Sequence, residues 1–156
     1  MQSTASIVDT ITQYYPTIRL EAGDDFVWNP TDRVITYNPD DPLFTARILH
    51  EVGHAELQHT IYETDIELLQ IERDAWHHAK TVLSPRFSLH ITSDIVEDDL
   101  DTYRDWLHSR SLCPHCKQNG VQSAAHEYTC LICQTKWKVN TAIGCALRRY
   151  IQKNTP

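Results

Sequence analysis

Two metal-ligand patterns lie in different parts of this 156-residue sequence. The first is HEVGH at positions 50–54, an HExxH sequence inside a segment, 42–58, that is predicted to be helical. Histidines four residues apart lie on one face of a helix, so both imidazoles can reach a single Zn²⁺. Glu51 is then placed to take a proton from a metal-bound water, whose pKa is lowered to about 7.

The neighbours of the two histidines favour a buried site over the alternative, a surface helix with two exposed histidines. The flanking apolar residues are Ile48, Leu49, Val52 and Leu57. Buried imidazoles need partners, and zinc is one. Gly53 lowers the helix propensity of the segment by about 1 kcal/mol relative to alanine. A small residue at this position would let another backbone or a substrate approach closely.

A second predicted helix, 65–83, holds the candidates for a third zinc ligand. Catalytic zinc usually takes three protein ligands and leaves a fourth position for water. The candidates are Glu67, Glu72, Asp74, His77 and His78. His59 is a poor candidate, because it lies five residues after His54 and therefore about 140° around an ideal helix.

The second pattern consists of two CxxC pairs separated by thirteen residues. Its members are Cys113, Cys116, Cys130 and Cys133. Each pair can form a knuckle that offers two thiolates, and together they close a tetrahedral four-cysteine zinc site. A closed site has no position for water, so this zinc is predicted to be structural. His115 is predicted to be a bystander, and Cys145, the remaining thiol, a small core residue.

The charge of the chain changes where the cysteines begin. Residues 1–111 carry 8 Lys and Arg against 20 Asp and Glu, a net of −12, whereas residues 112–156 carry 6 against 1, a net of +5. We therefore predict two domains, 1–110 and 111–156. The basic residues of the second are Lys117, Lys136, Lys138, Arg148, Arg149 and Lys153. Three alternatives remain open for this module, which are contact with nucleic acid, with a partner protein or with the acidic first domain.

Composition also indicates a location. The sequence has no run of about 18 apolar residues, so no membrane contact is predicted. Its first residues lack the basic start and apolar stretch of a secretory signal. We expect a cytoplasmic protein, in which cysteines are metal ligands or free thiols more often than disulfides.

The predicted elements define an α+β fold. Residues 26–28 and 33–37 are β-prone runs joined by a turn composition, with 18–20 as a third strand. The resulting hairpin either covers the core or offers an edge to an extended peptide. A helix is expected before Pro16, and another is expected to begin with Ser93 as its cap. A zinc ribbon built on the four cysteines follows these elements.

The sequences HEVGHAELQH at 50–59 and DAWHHAKTVLSP at 74–85 resemble the ImmA/IrrE family of metallopeptidases. In that family a strand precedes the HExGH helix, and a second helix carries a Glu-Ala-Asn…Phe-Ala…Leu-Leu-x-Pro pattern. The positions that match this second pattern are Asp74, Ala75, Ala79, Val82, Leu83 and Pro85. The resemblance covers roughly residues 5–86.

This resemblance implies a minimal zincin-like domain with helices on a small sheet and the active-site zinc between two helices. His50 and His54 would be zinc ligands, Glu51 the general base, and Asp74 the third ligand in place of the family's glutamate. Trp76 replaces the family's asparagine. The resemblance also implies a narrow substrate range, typically a regulatory protein such as a repressor.

Together these features predict a zinc-dependent metalloendopeptidase with one catalytic and one structural Zn²⁺, acting on a specific intracellular regulatory protein. Two alternatives remain open. One is a SprT-like protease that acts on DNA-bound proteins, since that class also joins HExxH to a zinc ribbon. The other is a non-catalytic zinc-binding adaptor or nucleic-acid-binding module.

Overall fold

The computed structural model describes residues 3–141 and 146–152, and within them the chain is α+β, as predicted. The predictions for Cys145 and Lys153 fall outside this part of the chain. Contacts divide the chain into two units. Unit 1 comprises Met1–Thr60 and Ile71–Glu97, and unit 2 comprises Ile61–Gln70 and Asp98–Pro156. The predicted division at residue 110 stays a prediction.

A three-stranded sheet in the order β1-β3-β2 belongs to unit 1. Its strands are β1 Arg19–Ala22, β2 Val27–Asn29 and β3 Val34–Tyr37. β2 and β3 form the predicted antiparallel hairpin, and the third strand, β1, lies parallel to β3. Each outer strand therefore keeps one edge that is unpaired by the described strands.

Helices α1 (Thr4–Tyr14) and α2 (Phe44–Glu56) also lie in unit 1. α1 buries Ile7 and Ile11, which are one helical turn apart. α2 begins after a turn in which the Asp41 carboxylate accepts the Leu43 N–H at 2.6 Å. Nine of its residues are buried, including the whole HEVGH segment, which excludes the surface-helix alternative.

Helix α3 (Asp65–His78) continues through a π-helical turn, Ala79–Leu83, and a single turn, Ser84–Arg86. The structure confirms that residues 65–83 are helical. The sequence pattern did not indicate that Ala79–Leu83 would be a π-helical turn. Helix α4 is Ser93–Ser111, and the Thr92 hydroxyl, rather than Ser93, accepts an N–H of its first turn. No helix in the described part of the chain combines the length and apolarity needed to cross a bilayer.

The sheet of unit 2 has four antiparallel strands in chain order. They are β4 Gly120–Ala124, β5 Glu127–Cys130, β6 Lys136–Val139 and β7 Arg149–Ile151. Tyr128 and Trp137 are buried and stack with ring centroids 5.6 Å apart. A Cβ on Gly120 would lie 2.4 Å from the Trp137 ring, so a side chain there would displace the tryptophan. The cysteines pack against these two aromatic rings.

Within unit 1, α2 and α3 approach closely at Gly53. A Cβ built on Gly53 would lie 2.8 Å from the Ala75 carbonyl oxygen, closer than real Cβ atoms come to backbone atoms. The glycine thus confirms the expectation that another backbone approaches α2 at this position. Because glycine has no side chain, the two helices can come this close together at the HEVGH segment.

We predict that Gly53→Ala destabilises the protein, although the same exchange in an ordinary helix interior is stabilising by about 1 kcal/mol. The added methyl group must move the Ala75 backbone, and overpacking of this kind costs about 1–3 kcal/mol. Denaturant unfolding of the two proteins measures the difference. A free energy of unfolding equal to or above that of the wild type would contradict the close approach.

Candidate metal centres

The HEVGH histidines point their ring nitrogens at each other. The Nε2 atoms of His50 and His54 are 2.9 Å apart, and both side chains are buried. Their rings are perpendicular, with centroids 4.5 Å apart. The four-residue spacing on α2 thus brings two imidazole nitrogens together, as the sequence predicts.

Glu72 on α3 completes this group. Its Oε2 atom lies 3.0 Å from Nε2 of His50 and 3.5 Å from Nε2 of His54. Ligands about 2.1 Å from a tetrahedral zinc lie about 3.4 Å apart, so these separations suit one ion. Two imidazoles and one carboxylate are also a donor set of catalytic zinc sites. His50, His54 and Glu72 therefore form a group that could hold a metal ion.

Asp74 does not join this group, which corrects the expectation that it is the third ligand. Its side chain is 52% exposed and forms an ion pair with Arg73 at 3.0 Å. Residues two apart on a helix lie about 200° around its axis, so Glu72 and Asp74 cannot face the same ion. Glu72, which the sequence analysis retained as a candidate, occupies the position instead.

The other candidates on the second helix lie elsewhere. Glu67 accepts the N–H groups of Glu63 and Thr64 at the start of α3. His77 is exposed, and His78 forms a hydrogen-bonded pair with Glu56 at the end of α2.

Glu51 lies beside the group without belonging to it. Its Oε2 atom accepts the backbone N–H of Trp28 at 2.7 Å, while Oε1 is 4.0 Å from Nε2 of His50. One carboxylate oxygen is thus bound to β2, and the other lies near Nε2 of His50. A carboxylate held in this way could accept a proton from a molecule bound at the group.

The pKa values of the two carboxyl groups shift in opposite directions. Burial opposes ionisation of Glu72, but hydrogen bonds and positive charge from His50 and His54 outweigh it and lower the pKa of Glu72 to about 2. For Glu51, burial dominates over the same imidazoles and raises the pKa. Glu72 therefore stays an anion suited to a cation, while Glu51 is better able to hold a proton.

Two features of the surroundings were not predicted from the sequence. The Trp76 side chain, fully buried, stacks on the His50 ring with centroids 4.3 Å apart and an interplanar angle of 28°. His59 places its Nδ1 atom 2.9 Å from Nδ1 of His54. His59 is not a member of the group that could hold a metal ion, in agreement with its exclusion on helix geometry, but it does contact His54.

Unit 2 contains the second group, formed by the four cysteines. The Sγ atoms of Cys113 and Cys133 are 3.6 Å apart, and those of Cys116 and Cys130 are 3.5 Å apart. Four thiolates about 2.3 Å from a tetrahedral zinc lie about 3.8 Å from one another, so the cluster has nearly the size of a loaded site. The cluster could hold a metal ion, and His115 is not part of it.

The two CxxC segments have matching backbones. Lys117 follows one pair and Gln134 the other, and both adopt a left-handed conformation, with φ of 64° and 61°. Each donates its N–H to the carbonyl of the first cysteine of its pair at 3.0 Å. Hydrogen bonds from Thr135 lower the pKa of Cys133 to about 5, whereas burial and hydrogen bonds with the other three thiols raise the pKa of Cys116, so the thiols do not ionise alike.

The positive charge of the two lysines on β6 is partly compensated by a neighbouring carboxylate. Lys136 and Lys138 are exposed and alternate with the buried Trp137 and Val139. Lys138 forms an ion pair with Glu127 at 2.7 Å. Nucleic-acid contact through this module therefore stays a prediction without support from the charge distribution of this strand.

Comparisons with protein-family models, with curated proteins and with solved structures found no match to the chain. The resemblance to ImmA/IrrE metallopeptidases is therefore still a prediction, and the function has to be inferred from the geometry of the two groups.

The Glu72 and Asp74 carboxylates provide a matched pair of variants. We predict that Glu72→Gln lowers the zinc content from two ions per chain to one, because a neutral amide is a poor ligand, whereas Asp74→Asn retains two. Native mass spectrometry of the intact protein counts the ions. Loss of zinc from Asp74→Asn but not from Glu72→Gln would contradict the assignment of the third ligand.

Proposed function

We propose that the protein is a zinc metallopeptidase that uses the His50, His54 and Glu72 group, with Glu51 as general base. The observation that carries the proposal is the split environment of Glu51, with one oxygen bound to the Trp28 N–H and the other 4.0 Å from Nε2 of His50. A purely structural zinc site has no use for a buried carboxylate held just outside its ligand set.

A zinc ion held by His50, His54 and Glu72 would supply a Lewis acid for a peptide carbonyl and would lower the pKa of a bound water. Glu51 Oε1 accepts the proton of the attacking water and then delivers it to the leaving amine. The Trp28 N–H fixes the carboxylate during both transfers. The raised pKa of Glu51 suits a group that must both accept and release a proton.

The sheet supports an extended peptide as the substrate class. Trp28 lies opposite Ile35 of β3, but its N–H donates to Glu51 instead. The unpaired edge of β2 therefore faces the ligand group. An extended chain that approached this edge would lie beside Glu51 and the metal, but it could not pair with the Trp28 N–H while that group binds Glu51.

The four cysteines are proposed to hold a second, structural Zn²⁺ that stabilises unit 2. With every position of the tetrahedron filled by sulfur, this ion has no place for a substrate. A specific regulatory protein as substrate and a cytoplasmic location remain part of the proposal. The requirement for Glu51 separates the non-catalytic adaptor alternative from the proposal. A SprT-like protease would instead be recognised by an affinity for single-stranded DNA that rises as the salt concentration falls.

We predict that Glu51→Gln retains both zinc ions but lowers peptide cleavage by about 10²–10⁴-fold, since the amide can still accept the Trp28 N–H but cannot act as a base. Two assays measure the loss. One is a library of internally quenched peptides, and the other is the appearance of new protein N-termini in a cell lysate. Asp74→Asn, which removes an exposed carboxylate of unit 1, is the matched control and should cleave as the wild type does.

Equal cleavage by the wild type and Glu51→Gln would show that the activity comes from another source. No cleavage by the zinc-loaded wild type in either assay would favour the adaptor alternative.

A further inference from the structure

His59 occupies its position because α2 ends in a particular turn. Gln58 adopts a left-handed conformation with φ of 56°. Its N–H donates to the Ala55 carbonyl at 3.3 Å, and the His59 N–H donates to the His54 carbonyl at 2.9 Å. These two bonds define a Schellman motif, which reverses the chain at the end of a helix. His59 is thereby returned to the side of α2 on which His54 lies.

The side chains of these two histidines make a direct contact. Their Nδ1 atoms are 2.9 Å apart, and their ring centroids are 5.0 Å apart. A neutral imidazole carries its proton on one nitrogen only. When Nε2 of His54 binds a metal, its proton is on Nδ1, so His54 donates and Nδ1 of His59 accepts.

Trp28 ties this contact to the other side of the group. Its indole Nε1–H donates to the His59 carbonyl at 3.2 Å, and its backbone N–H donates to Glu51 at 2.7 Å. A single residue of β2 therefore holds both the proposed base and the residue behind His54. Neither bond depends on the HExxH spacing itself.

We propose that His59 is a positioning residue for the metal at His50, His54 and Glu72, acting by accepting the Nδ1–H of His54. The inference rests on the proposed metal site. An acceptor behind a histidine ligand fixes the ring orientation and the tautomer, and its removal typically costs 10–100-fold in metal affinity.

The test compares zinc affinity in the full chain carrying His59→Phe or His59→Asn. Phenylalanine keeps the ring but removes the acceptor. Asparagine keeps an acceptor, because its Oδ1 is bonded to Cγ as Nδ1 is in histidine. We expect the zinc dissociation constant of the His50, His54 and Glu72 site to be about 10–100-fold higher in His59→Phe than in the wild type. In His59→Asn it should stay within about threefold of the wild-type value.

Competition with a graded series of zinc chelators, read as ions per chain by native mass spectrometry, measures both sites in the same sample. The zinc of the four-cysteine group should be released at the same chelator strength in all three proteins, which shows that the variants remain folded there. Wild-type affinity in His59→Phe would overturn the inference, and so would equal weakening in His59→Asn.

These results differ from failure of the proposed function. If the wild type holds zinc only at the cysteines, the proposed metal site is wrong and the role of His59 is overturned with it. If the wild type holds two ions and His59→Phe binds both equally well, only the role of His59 is overturned.

Discussion

The approach of α2 to α3 at Gly53 is the constraint on which the first ligand group depends. The Ala75 carbonyl oxygen lies only 2.8 Å from where the first side-chain carbon of any other residue would be, so glycine permits this separation without a backbone shift. His50 and Glu72 lie one turn before the two contacting residues on their own helices. The distance of 3.0 Å between their side chains follows from that backbone contact. A wider separation would leave two buried histidines without the carboxylate that completes the group.

The two buried carboxylates differ in how strongly the histidines bind them. Glu72 lies between two imidazoles and is held as an anion, whereas Glu51 is bound by one N–H of β2 and has a raised pKa. Neighbouring acids whose pKa values are separated in this way commonly take different roles in one reaction. The assignment of one as metal ligand and the other as base is based on this difference together with their distances to His50. In the four-cysteine group of unit 2, by contrast, the two knuckles repeat one backbone conformation.

Short-range spacing predicted the elements of the site more successfully than long-range matching did. The four-residue spacing of the histidines, the two CxxC pairs and the hairpin of 26–37 all depend on local geometry, and the structure contains each of them. Which carboxylate joins the two histidines depends on which face of α3 meets α2, and the offsets of a family pattern selected Asp74 instead of Glu72. A shift of two residues on a helix is sufficient to turn a side chain away from an ion.

His59 shows a different limit of sequence reasoning. In an ideal helix His59 would point away from His54. However, α2 ends before His59, so helix geometry does not determine where this side chain lies. The left-handed residue that ends the helix is Gln58, whereas glycine is the usual residue at such a position. No composition signal marks this turn. The stacking of Trp76 on His50 depends likewise on how two helices pack, which periodicity alone does not determine.

The most direct test is to locate the metal by anomalous diffraction at the zinc edge from crystals of the intact, zinc-loaded protein. We predict two peaks. One should lie among the four cysteine sulfurs, and the other should be bound by His50, His54 and Glu72, with Glu51 outside the ligand set. A single peak at the cysteines, or a second ion bound by Asp74, would contradict the proposed site.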